Sequence, residues 1–168
     1  MPVEDILNPS YWQQRLLLAP TKARHHAIFR CPTEVWERIE AKHRQILAEH
    51  IQPNDSILDA GCGWGRLLTL LPETWRGRYN GVDISPDFIM LARHRYPRQS
   101  FAVWDLQKLS ELSYLQPPYD WAVMISMRPM IRRNLGEEVW TQIETEIRKL
   151  AKKLLYLEYD DKSDGFVE

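Results

Sequence analysis

The segment Ser56-Ile57-Leu58-Asp59-Ala60-Gly61-Cys62-Gly63-Trp64-Gly65-Arg66-Leu67-Leu68 constrains this chain more than any other stretch. Two apolar residues run into an acid, three glycines follow at alternate positions, and an apolar helical pattern starts behind them. That order reads as strand, tight loop, helix. Gly61, Gly63 and Gly65 permit a sharp turn and let the backbone lie against a ligand where a side chain would intrude. A helix starting behind the loop is expected to turn its unpaired N–H groups and the positive end of its dipole toward that ligand. The spacing argues against a dinucleotide fingerprint, Gly-x-Gly-x-x-Gly, because Arg66 stands where the third glycine belongs.

Around this loop the pattern alternates. Residues 1–32 carry prolines at 2, 9, 20 and 32 and read as an irregular arm with one short helix over 10–18. Val35, Trp36, Ile39, Ile46, Leu47 and Ile51 recur at helical spacing, which predicts a helix over 34–50 that Pro53-Asn54-Asp55 stops. Strands are expected at 57–60, 79–83, 101–104, 121–127 and 154–159, with helices over 66–71, 86–95 and 137–153. Ser85-Pro86-Asp87 is a strong helix start: a capping hydroxyl, a proline in the first turn and an acid at the positive dipole end. Strands separated by helices require right-handed crossovers. The expected fold is therefore α/β: a Rossmann-like, doubly wound parallel sheet of about five strands with helices on both faces and an N-terminal helical arm. We expect one domain over 1–168, with residues 1–52 as arm and helix and 56–160 as core.

Composition excludes a few classes. A chain of 168 residues with 44% hydrophobic residues can bury a sizeable core, and a net charge of −1 argues against a general nucleic-acid binder. Cys31 and Cys62 are a poor disulfide framework and too few for a zinc site, so reduced thiols and a cytoplasmic location are expected. No stretch approaches the roughly 20 apolar residues of a membrane span.

In a doubly wound sheet, ligands sit beyond the carboxyl ends of the strands. Polar residues are expected there: Asp59 at the end of the first strand, Asp83 the second, Asp105 the third and Ser126 the fourth. Asp59 followed by Gly-x-Gly-x-Gly resembles the first motif of the class I S-adenosylmethionine-dependent methyltransferases. Gly81-Val82-Asp83-Ile84-Ser85 and Asp105-Leu106 resemble the second and third. The resemblance implies S-adenosylmethionine as cofactor and methyl transfer as activity. It also implies a role for each position: Asp59 near the cofactor ammonium, Gly61, Cys62, Gly63 and Gly65 as its loop, and Asp83 accepting from both ribose hydroxyls. Ile84 would pack on the adenine face, Asp105 would accept from its amino group, and the Leu106 N–H would reach the ring. An ionised carboxylate is acceptor-only and takes two such bonds at once.

Tyr11, Trp12 and Arg15 resemble the aromatic and basic residues that close over the cofactor in small-molecule methyltransferases, with Arg15 on its carboxylate. The alternative is that Trp12 packs the arm while Arg15 is solvated. Met127 and the basic residues Arg128, Arg132 and Arg133, just past the fourth strand, would suit a small acidic acceptor or an RNA backbone, against the alternative of a solvated basic loop. His25 and His26 could supply a base near neutral pH or simply lie on the surface. The Asn/Asp-Pro-Pro-Tyr/Phe motif of nucleic-acid amino methylation is replaced by Ile125-Ser126-Met127-Arg128-Pro129. A small-molecule methyltransferase is thus the leading expectation, with a cofactor-binding subunit lacking activity and an RNA methyltransferase as alternatives. Family members usually add two more strands after the fifth. Residues 160–168 are too few for them, so an exposed fifth-strand edge, open to a second copy or another partner, is expected.

Overall fold

The computed structural model describes residue 6 and residues 8–17, 33–158 and 166–167. At its centre lies β1 (Ile57–Ala60), with all four residues buried. It is flanked by β2 (Tyr79–Asp83) and β4 (Tyr119–Ile125), so that Ile57 sits opposite Tyr79 on one side and Trp121 on the other. β3 (Ser100–Val103) lies outside β2 and β5 (Ala151–Leu157) outside β4, and these five strands are all parallel. With β6 (Phe166–Val167) outside β5, the full order is β3-β2-β1-β4-β5-β6. Chain direction across the sheet reverses between β1 and β4, which opens a crevice beyond their carboxyl ends.

Strand alternation divides the core. Ile57, Trp121, Val123 and Leu155 meet Leu47 and Ile51 from the helix α2 (Thr33–His50) and its end, and Ile89 and Ala92 from α3 (Pro86–Arg95). Leu58, Ala60, Ala122 and Tyr156 face the other way, onto Ile131 of α4 (Arg128–Leu135) and Trp140, Ile143 and Ile147 of α5 (Glu137–Arg148). The arm contributes α1 (Pro9–Leu17). No described helix is long and apolar enough to cross a membrane.

Four expectations are corrected. The helix behind the glycine loop is a single 3-10 turn, Arg66–Thr69, because Pro72 closes the segment soon after it begins. The basic loop after the fourth strand is a helix, α4, with Pro129 in its first turn and Gly136, at φ +90°, ending it. The last helix stops at Arg148, and β5 starts at Ala151. Lys152 and Lys153, helical by composition, are held extended: Lys152 Nζ reaches Asp120 at 2.7 Å and Lys153 Nζ lies 4.9 Å from the Trp121 ring centre. Finally, β5 is not a bare edge, since β6 (Phe166–Val167) pairs antiparallel with Leu154 and Leu155.

Candidate functional site

At the crevice the glycine loop is pinned to β2. The N–H groups of Gly61 and Cys62 both donate to the Val82 carbonyl, at 2.8 and 3.0 Å. Gly63 N–H donates to Asp83 Oδ2 at 2.8 Å, and the other Asp83 oxygen accepts from Ser85 N–H at 2.9 Å. Ser85 in turn caps α3 by accepting from Phe88 N–H at 3.3 Å. Burial pushes the Asp83 carboxyl up to about 6, with the N–H groups of Ser85, Gly63 and Ile84 pulling it back down. Asp83 therefore carries its charge at neutral pH. Asp105 caps the 3-10 segment Leu106–Glu111, its Oδ1 accepting from Gln107 N–H at 2.9 Å.

Gly61, Gly63, Asp83, Ile84, Asp105, Leu106, Ser126 and Met127 surround one cavity of about 120 Å³. The arm supplies Ile6 and Trp12 to its wall, α3 supplies Phe88, and α4 and α5 supply Met130, Ile131, Leu135 and Ile143. Gly63 has φ +52° and no described atom within 4 Å of the place a Cβ would occupy, so its bare backbone forms part of the wall. The arm is held there by an aromatic cluster. Trp12 Nε1 donates to the Ile6 carbonyl at 3.0 Å, and the Trp12 and Trp64 rings lie 6.0 and 5.9 Å from that of Phe88.

Several residues picked out in the sequence stand elsewhere. Asp59 is 1% exposed and sits one residue inside β1, where the pleat turns it toward the α2 and α3 face and the Tyr79 hydroxyl donates to it at 2.6 Å. Burial raises its pKa to about 7 against the Tyr79 hydrogen bond; the nearby Asp83 charge raises it further and Arg66 lowers it. Cys62 is buried on that same side, and its thiol is pushed well up by burial and by Asp59 and Asp83. A Cβ on Gly65 would meet the Tyr96 ring at 3.0 Å, so this glycine serves packing rather than the cavity.

Tyr11 packs edge-on against Trp12, with ring centres 5.0 Å apart, outside the cavity wall. Arg128 turns away, with Nε 3.4 Å from Glu158 and its guanidinium 4.7 Å from the Tyr156 ring centre. Arg132 pairs with Glu137 at 2.6 Å on the exposed side of α4. Arg133 is exposed. His25, His26 and the Arg15 side chain lie outside the described residues. A four-residue 3-10 turn has little macrodipole, so the loop's contribution is its shape and its bonds to Val82 and Asp83.

Wall residues from α4 and α5 were not singled out in the sequence. Ile131 and Leu135 stand four apart, and Ile143 lies on the apolar face of α5, but helical spacing marks a buried face without separating core from ligand wall.

A family model described as "Methyltransferase domain" matches residues 57–153. Ribosomal protein L11 methyltransferase from Burkholderia mallei is 40% identical over 52 residues, which is 31% of this chain and 17% of that protein. The crystal structure of PH0226 protein from Pyrococcus horikoshii OT3 superposes with a TM-score of 0.56 at 26% identity, covering 74% of this chain and 58% of that one. Magnesium protoporphyrin IX methyltransferase from Synechocystis PCC 6803 with bound SAH superposes with a TM-score of 0.56 at 17% identity, covering 86% of this chain and 64% of that one.

Proposed function

The chain belongs to the family of methyltransferase domains, and from that premise we propose that it transfers a methyl group from S-adenosylmethionine to a small molecule whose reacting face is uncharged. One observation carries the reading: Asp83 and Asp105, from neighbouring strand ends, face a single cavity beside the bare backbone of Gly63. The residues present fit the cofactor. Asp83, held in place by two N–H groups, keeps acceptor capacity for a ribose diol, and Asp105 for an exocyclic amine. Ile84, Leu106 and Ile131 offer apolar walls to a flat ring.

When bound, the cofactor supplies a methyl group activated on a sulfonium. Loss of the methyl would leave a neutral thioether, so the leaving group needs no proton; the protein's work is alignment and exclusion of water, and an uncharged acceptor would give up its own proton to solvent. Trp12 and Phe88 close the apolar side of the cavity and serve the second task. Among the described wall residues charge is confined to Asp83 and Asp105, while Arg128 and Arg132, on which an acidic acceptor or an RNA backbone would rely, are engaged in ion pairs outside the wall. That arrangement favours an uncharged acceptor.

Titration calorimetry with S-adenosylmethionine and S-adenosylhomocysteine tests the reading. The wild type is expected to bind both, and Asp83→Ala to lose at least about tenfold in affinity for each, since the ribose hydroxyls lose their acceptor in a buried site. No binding of either ligand to folded wild type at millimolar concentration defeats the assignment.

A further inference from the structure

Met127 stands on a backbone fixed from both sides. Ser126 before it adopts φ +56°, a left-handed conformation uncommon outside glycine, while its N–H donates to the Leu157 carbonyl at 2.8 Å. Met127 itself is helical, at φ −85° and ψ −42°, and its carbonyl accepts from Ile131 N–H at 2.9 Å. Arg128 after it is tied to Glu158 and Tyr156. This path lays the Met127 side chain across the sheet onto Gly61: a Cβ on Gly61 would come within 2.7–2.8 Å of its Sδ, Cε and Cγ. The two cavity glycines therefore differ, because the space beside Gly63 holds no described atom within 4 Å of the same construction.

Strand order gives the difference a direction. Asp105, Gly61 and Met127 follow β3, β1 and β4, and Asp83 ends β2, which lies between β3 and β1. A ligand held by the two acids and longer than a nucleoside would run along this row toward Gly61. We propose that Met127 is a specificity gate for the tail of the ligand: a nucleoside fits over Gly63, whereas a longer chain reaches the ledge over Gly61 only after Met127 swings aside. The inference rests on the nucleoside-sulfonium reading of the site. Methionine suits the role because its unbranched, multiply rotatable side chain can move without the backbone following. A cavity of about 120 Å³ is also below the roughly 300–1,000 Å³ of ordinary ligand clefts, which fits a wall side chain that takes up part of the space.

The swing takes Met127 out of its packed rotamer and weakens tailed ligands by about threefold to tenfold. The test is calorimetry of wild type, Met127→Ala and Met127→Leu with S-adenosylhomocysteine, which has the tail, and 5′-methylthioadenosine, which lacks it. Met127→Ala is expected to gain that threefold to tenfold for S-adenosylhomocysteine and to change by less than about twofold for methylthioadenosine. Met127→Leu, of similar bulk but branched and less able to swing, should match wild type for methylthioadenosine and bind S-adenosylhomocysteine no more tightly than wild type. An Ala variant that leaves S-adenosylhomocysteine binding unchanged, weakens it, or moves both ligands equally overturns the gate. So does a Leu variant that gains as much affinity for S-adenosylhomocysteine as the Ala variant, since its bulk would still stand over Gly61. Methylthioadenosine binding reports that each variant is folded with its nucleoside site intact. If neither ligand binds wild type, the proposed function itself falls.

Discussion

Replacing Asp59 by Asn separates a core carboxyl from a cofactor ligand. Asp59 is 1% exposed, and burial, with Asp83 adding to it and Tyr79 and Arg66 opposing it, raises its pKa from 3.8 to about 7. Between those values the folded chain keeps a proton that the unfolded chain has released. The unfolded state then binds fewer protons, so stability falls as pH rises through the window and levels off above the folded pKa. At 1.36 kcal/mol per unit, Asp59 alone removes roughly 3 kcal/mol between about pH 5 and about pH 8.5. Asp83, raised to about 6, removes roughly 1 kcal/mol more over the same span. The Asn variant keeps only the Asp83 part, so the gap between variant and wild type should change by roughly 3 kcal/mol across the range, in the variant's favour at high pH. Urea denaturation of both proteins at the two ends of the range measures it. A gap that does not move with pH refutes the buried placement. Affinity for S-adenosylhomocysteine gives a second readout: it should stay within about threefold of wild type, whereas a contact to the cofactor ammonium would make the loss about tenfold or more.

Gly63→Ala should cost about 1–2 kcal/mol of stability from the left-handed backbone alone. Its methyl group projects into unoccupied wall space, so affinity for S-adenosylhomocysteine should drop about tenfold or more; thermal melts and calorimetry check the two effects separately, and an unchanged affinity removes Gly63 from the site. Asp120 accepts from Ser56 N–H and Oγ at 2.9 and 2.7 Å and from Lys152 Nζ at 2.7 Å, which hold its carboxyl well below the usual range. Asp120→Ala should therefore lose about 1–3 kcal/mol at neutral pH. The deficit should shrink as pH falls below about 4, where the unfolded chain's carboxyl takes up a proton that the folded one still refuses, which denaturation at two pH values would show.

The order of strands and helices was legible because each element carries its own period and punctuation: Ser85-Pro86-Asp87 starts α3 as read, and Ile57 to Ala60 is the central strand. Among the places that were not, three show the physical reason. In α4 the basic residues Arg128, Arg132 and Arg133 masked Ile131 and Leu135, the helical pair beneath them. Ala151 to Lys153 has helix composition but extends β5 because β4 beside it offers a ladder that starts at Tyr119. Tertiary pairing overrides local propensity there. The direction of Arg128 was beyond reach for another reason: Tyr156 in β5 and Glu158 just after it, which draw it away from the cavity, lie some thirty residues on, where the register depends on the fold.

The strand-end acids show how fine the remaining distinction is. Asp83 is the last residue of β2 and reaches the cavity; Asp59 is the last but one of β1 and does not. Asp59 pairs with Gly81, two residues before Asp83, so both carboxyls leave the sheet on the same face, and Asp83 reaches the cavity because it stands further toward the carboxyl edge. Gly81, opposite Asp59 in the ladder, sets how the loop meets Asp83. A Cβ there would come within 2.7 Å of the Phe101 ring and 2.9 Å of Cys62 Sγ, so only a glycine lets both side chains pack against β2. With Cys62 seated, its N–H and that of Gly61 meet the Val82 carbonyl, and the next turn of the loop delivers Gly63 N–H to Asp83. The glycine of Gly-Val-Asp thus acts on the cavity through core packing, and a larger residue at position 81 would displace the loop without touching any ligand.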